Sequence, residues 1–107
     1  MNLNEYQQLA KRTAGPNSEQ LEYLIPGLCG EAGEVASVAA KVARDDGHVW
    51  SDAKRQKMML EIGDCLWFVS ELSRHFGWTL EQVAQANIDK LADRQKRGVI
   101  AGSGDNR

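Results

Sequence analysis

No stretch of this chain alternates apolar and polar residues with the period of two that a half-buried β-strand needs; its long segments instead repeat apolar residues every three or four positions. That property restricts the 107 residues to an all-α fold. Glycine and proline mark the limits of the helices. A first helix over about Leu3 to Thr13 carries Leu3, Tyr6, Leu9, Ala10 and Thr13 on one side and stops at Gly15-Pro16. A second helical region runs from about Ser18 to Arg44 and ends at Asp45-Asp46-Gly47. A kink or break is expected just before Pro26, because proline lacks a backbone donor and crowds the preceding turn. The third helix, about Ser51 to Phe76, closes at Gly77. Thr79-Leu-Glu-Gln82 has the form of a capping box and opens a fourth helix that runs to about Arg97 and stops at Gly98. The expected architecture is one four-helix-bundle-like domain over residues 1–98, followed by a glycine-rich polar tail, 99–107, that is mobile unless a ligand or neighbour orders it.

A formal charge of -2 argues against a protein organised around nonspecific nucleic-acid binding. No apolar run is long enough for a membrane span, and MNLNEYQQLAKR lacks the basic-then-apolar order of a signal peptide, so the expected setting is cytoplasmic, with no membrane partner. Cys29 and Cys65 lie far apart in apolar helical runs and are expected to be reduced core thiols.

The segment GLCGEAGEVA, residues 27–36, breaks the helical pattern in two ways. It places three glycines in a helix interior, each costing about 1 kcal/mol against alanine. It also puts Glu31 inside the apolar stripe formed by Leu24, Leu28, Val35, Val38 and Val42, with Glu34 at the stripe's edge beside Gly27 and Gly30. Those two glycines would let a neighbouring helix or a ligand approach the backbone closely; Gly33 faces the other way and nothing in the sequence accounts for it.

On the third helix the apolar arc contains Met58, Ile62, Cys65, Leu66, Phe68, Val69, Leu72 and Phe76, and Glu61 again interrupts it, with Asp64 one step toward the polar side. Each helix thus offers two carboxylates at i and i+3, on a shared face. Four acids converging in a bundle need a counter-charge. Lysine or arginine could supply it, but an oxygen-only set without histidine suits a hard cation, Mg²⁺ or Mn²⁺, and lacks the Glu-x-x-His of a di-iron bundle. Taken singly, a Glu-x-x-Glu is most simply a solvated helix flank; two such pairs, both interrupting apolar stripes, favour a site.

The fourth helix has a stripe of Leu80, Val83, Ala84, Ile88 and Leu91, interrupted by Asn87 and flanked by Lys90 and Arg94. Alone, Lys90 and Arg94 are ordinary last-turn cations complementing the helix dipole. Beside a carboxylate-bound divalent ion they would make a polyphosphate site. Trp67, three residues after Asp64, and Trp50, in the loop GHVWSD, are the aromatic residues placed to flank a nucleobase; core packing and loop anchoring are the simpler roles.

The order GLCGEAGEVA, LEIGDCLWFVSEL, NIDKLADRQKRG resembles the MazG-like members of the all-α nucleoside triphosphate pyrophosphatase superfamily over roughly residues 20–98. The family's Glu-x-x-Glu and Glu-x-x-Asp signature is matched by Glu31, Glu34, Glu61 and Asp64. The resemblance implies Mg²⁺-dependent conversion of a nucleoside triphosphate to monophosphate and pyrophosphate, as nucleotide house-cleaning, by a homodimer or dimer of dimers. It assigns metal binding to the four acids and catalysis to Glu34 and Glu61, with Glu34, at the mouth rather than the centre, favoured for orienting the attacking water; Asn87, Lys90 and Arg94 would then contact the phosphates or the sugar. The tail departs from relatives that continue into an aromatic or proline-rich lid. The competing readings are a noncatalytic helical interaction module with acidic faces, and a phosphohydrolase acting on other phosphorylated metabolites.

Overall fold

The computed structural model describes residues 1–107 as four α-helices without a strand: α1 (Leu3–Lys11), α2 (Leu21–Asp45), α3 (Asp52–His75) and α4 (Leu80–Arg97), with a 3-10 turn over Pro16–Glu19. The caps explain the boundaries. Asn2 and Glu5 form a reciprocal capping box at α1, the Ser51 hydroxyl accepts from Lys54 N–H at α3, and Thr79 with Gln82 forms the expected box at α4. Gly98 ends α4 in the left-handed conformation, φ 71°, that a residue with a Cβ rarely adopts.

Two boundaries differ from expectation. Ser18 belongs to the 3-10 turn, so α2 begins at Leu21, and α1 ends at Lys11 rather than Thr13. α2 also runs unbroken through Pro26. Proline there lies in the second turn, where its missing donor forfeits one intrahelical bond while the rest of a 25-residue helix is kept.

α2 and α3 form an antiparallel hairpin with the most extensive contact in the molecule. Its register is fixed where the helices touch: Gly27 lies against Phe68, Glu31 opposite Glu61 and Asp64, and Asp46 near Lys54. A Cβ on Gly27 would overlap the Phe68 ring at Cε1, so this glycine is what allows the helices to close. Phe68 is buried there, 5.8 Å from the Tyr23 ring and 5.0 Å from the Trp67 ring, the latter edge-on. No side-chain neighbour stands within 4 Å of where a Cβ on Gly30 or Gly33 would be, so Gly30 has no close-packing role within the chain.

α1 packs on α3 through polar groups that the apolar periodicity did not reveal. Gln7, not Leu3 or Leu9, is the buried residue of the first turns of α1; its amide donates to Trp78 O at 3.1 Å and accepts from Leu80 N–H at 3.2 Å. On α3, Ser70, Glu71 and Ser73 are buried while Ile62, Leu66 and the C-cap residue Phe76 are exposed. Glu71 is held by Arg74, whose Nη2 donates to Oε2 at 2.6 Å and to Glu19 at 3.2 Å. Cys29 is exposed and Cys65 half-buried, so Cys29 is not the core thiol expected.

α4 docks chiefly by its beginning, where Leu80 is buried and Asn4 exchanges hydrogen bonds with Glu81. Further along its apolar stripe Val83 and Ala84 are half-buried, while Ile88 and Leu91 stand open, Ile88 at 58% exposure. The radius of gyration, 16.6 Å, exceeds the roughly 13 Å of a compact chain of this length. Only 12 residues are buried, six of them apolar, so much apolar surface stays in contact with solvent in a single chain.

Candidate active site

The α2–α3 hairpin brings Glu31, Glu61 and Asp64 together, with one carboxylate oxygen from each within 4.8 Å of the others. Antiparallel packing makes this unavoidable once Gly27 meets Phe68: one turn further along α2 is Glu31, and one turn back along α3 is Asp64, with Glu61 one turn beyond. Glu34 lies a further turn along α2, exposed and outside this cluster.

None of the ion pairs in the molecule reaches any of the four acids. The consequence is visible at Glu31, whose carboxyl is pushed above the usual range by partial burial and then by the negative charges of Asp64, Glu61 and Glu34. The Tyr6 phenol is raised as well, by burial and by Asp64 and Glu71. Three oxygen donors at this spacing, short of positive charge and open on one side, fit a small divalent cation that keeps water or phosphate in its remaining positions.

The residues assigned to phosphate lie elsewhere in the chain. Asn87 is exposed on α4, and Lys90 and Arg94 face the tail rather than the acids, both donating to Asp105 Oδ1, at 3.2 and 2.9 Å. Arg94 is almost wholly buried by that contact. Trp67 is tied to α1, its indole N–H donating to Thr13 Oγ1 at 2.8 Å and to Ala10 O at 3.3 Å. Trp50 is 40% exposed and lines an open groove of about 870 Å³ with Met58, Met59, Ile62 and Arg55. The groove residues Asp52, Arg55, Met59 and Ile62 follow one face of α3, roughly opposite the face that carries Glu61 and Asp64.

Sequence reasoning missed Glu71 and Asp105. Glu71 sits on α3 ten residues after Glu61, and its burial depends on α1 and Arg74, which no period reports. Asp105 lies in a segment with no periodicity at all; the only signal was one acid in a tail following a basic last turn.

Comparison with known proteins gives a MazG nucleotide pyrophosphohydrolase domain over residues 19–99. The chain is also 44% identical over 89 residues to the Gene 37 protein of Mycobacterium phage L5, an alignment covering 83% of this chain and 78% of that one. No solved structure matches. No helix is long and apolar enough to cross a membrane.

Proposed function

The chain belongs to the MazG nucleotide pyrophosphohydrolase family, and on that premise we propose that it hydrolyses nucleoside or deoxynucleoside triphosphates, in the presence of Mg²⁺, to the monophosphate and pyrophosphate. The observation that carries this reading is the convergence of Glu31, Glu61 and Asp64 within 4.8 Å without a lysine or arginine to neutralise them. Glu31, Glu61 and Asp64 would hold the ion, with Mn²⁺ as a substitute, and Glu34 completes the set from the adjoining turn. When bound, the ion supplies charge neutralisation at the phosphoryl oxygens, where four negative residues would otherwise repel the substrate.

The chain's own groups divide the remaining work. Glu34, exposed at the mouth of the cluster, accepts a hydrogen bond from the attacking water and orients it, with Glu61 as the second catalytic carboxylate. Lys90 and Arg94 bind the β and γ phosphates and offset the charge of departing pyrophosphate, and Asn87 bonds to a phosphate or the sugar. Trp50, whose ring lines an open groove, or Trp67, whose indole N–H is engaged with α1, flanks the base.

Lys90 and Arg94 form no ion pair with Glu31, Glu34, Glu61 or Asp64 of their own chain, and the open faces of α3 (Met59 64% exposed, Leu60 61%) and α4 leave apolar surface uncovered. A second copy covering those faces would bring the missing walls, so the active form is a homodimer or a dimer of dimers.

The test is a panel of nucleoside triphosphates incubated with Mg²⁺ and resolved by anion exchange. Monophosphate and pyrophosphate in equal amounts, with ¹⁸O from labelled water in the monophosphate, are expected. Diphosphate with free phosphate would mean that the γ-phosphate is attacked, and no turnover together with no thermal stabilisation by Mg²⁺ and nucleotide would leave a noncatalytic module.

A further inference from the structure

Arg94 is buried, though it stands on a stretch of α4 whose neighbours are nearly all exposed, and what covers it is the chain's own tail. Gly98 reverses the chain at the end of α4, and Gly102 and Gly104, both at positive φ, turn it again. Residues 99–107 thereby return along the last turns of the helix. Arg107 locks the loop from within, donating to Val99 O and Ile100 O, each at 3.1 Å, and to Gly104 O at 2.6 Å. Arg97 holds it from outside by donating to the Arg107 main-chain oxygen at 2.6 Å. This closure places a single oxygen, Asp105 Oδ1, between Lys90 Nζ at 3.2 Å and Arg94 Nη2 at 2.9 Å.

One oxygen accepting from both an ammonium and a guanidinium is the arrangement that a phosphate oxygen would adopt on the same pair. The carboxylate is singly charged and 81% exposed, so water competes freely for its oxygens and the contact is easily given up. A di- or triphosphate carries more charge and more acceptor oxygens and outcompetes it.

We propose that the tail is an autoinhibitory clasp: Asp105 occupies Lys90 and Arg94 as an internal substitute for phosphate, and the polyphosphate of the substrate binds by displacing it, the tail opening at Gly98. The proposal rests on the phosphate-binding role given above to Lys90 and Arg94. The clasp lowers apparent affinity by the fraction of chains in which it is closed. Substrate in excess opens it, whereas a nucleoside without phosphates has nothing with which to displace Asp105.

The full chain is titrated calorimetrically with inorganic pyrophosphate and Mg²⁺, as wild type, D105N and R94Q, and hydrogen exchange of the 99–107 amides is followed in the wild type. D105N, isosteric but neutral, should bind pyrophosphate about fivefold more tightly, the size of one exposed charged contact. In the wild type, saturating pyrophosphate should accelerate exchange of the Val99 amide, which donates to Arg94 O in the closed tail. Unchanged D105N affinity, or tail exchange that stays constant at saturation, with binding lost in R94Q, would overturn the clasp and leave the phosphate role intact. R94Q binding as tightly as wild type would remove that role, and the clasp with it.

Discussion

Replacing Glu61 by glutamine should make the metal-free protein more stable, a sign opposite to that of most substitutions at a half-buried position. Glu31, Glu61 and Asp64 place carboxylate oxygens within 4.8 Å of one another, and Asp64 is exposed, so a water-like dielectric is the appropriate one. Two unit charges at that distance then repel by about 0.9 kcal/mol. E61Q removes two of the three pair repulsions, roughly 1.7 kcal/mol at low ionic strength and about half of that at 0.15 M salt. No hydrogen bond of the Glu61 side chain is lost to offset the gain. For a domain of this size about 1 kcal/mol corresponds to a rise of some 4–8 °C in midpoint. Scanning calorimetry in a chelator, at matched protein concentration because the assembly state enters the midpoint, should show E61Q melting above wild type. Added Mg²⁺ should reverse the order: saturation at a hundred times Kd stabilises the wild type by about 2.7 kcal/mol, and a site lacking one ligand gains less. If E61Q melts at or below wild type without metal, the three acids do not share a site in solution and the metal assignment loses its structural basis.

The glycines of α2 should separate in a second experiment. G27A forces the Phe68 ring to move and should cost about 1–3 kcal/mol, whereas G33A, with no neighbour within 4 Å, should gain up to about 1 kcal/mol of helix propensity, both read from urea unfolding; equal effects would contradict the hairpin register. R74M leaves the fully buried Glu71 without its partner and should destabilise by roughly 3 kcal/mol in the same assay, a loss below about 1 kcal/mol being incompatible with the buried pair. Hydrogen bonding from Arg94 and then Lys90 holds the Asp105 carboxyl below its ordinary 3.8. A carboxyl depressed in the folded chain stabilises it above the ordinary value and loses that contribution as pH falls through the depressed one. The ¹³C carboxyl signal of Asp105 should therefore titrate below 3.8, and a midpoint at or above it would mean that the clasp is not formed.

What the sequence determined by itself was local. Helix periods, the Thr79–Gln82 capping box and the glycine stops at Gly77 and Gly98 are read within a turn or two of chain, and so the all-α class, α3 and α4 were legible to within a residue. The pairing of acids was legible for the same reason, since residues at i and i+3 share a face whatever lies opposite. Tertiary structure decided which of those faces meets another. It brought Glu31 to Glu61 and Asp64 and left Glu34 a turn away, chose Gly27 over Gly30 as the point of close approach, and buried Gln7, Ser70 and Glu71 while leaving Ile62, Leu66 and Ile88 in the open. It also put Asp105 on Lys90 and Arg94. Periodicity records that a helix has an apolar side; it carries no account of distance across the chain, and a buried polar group is stable only because of a partner that tertiary contact supplies.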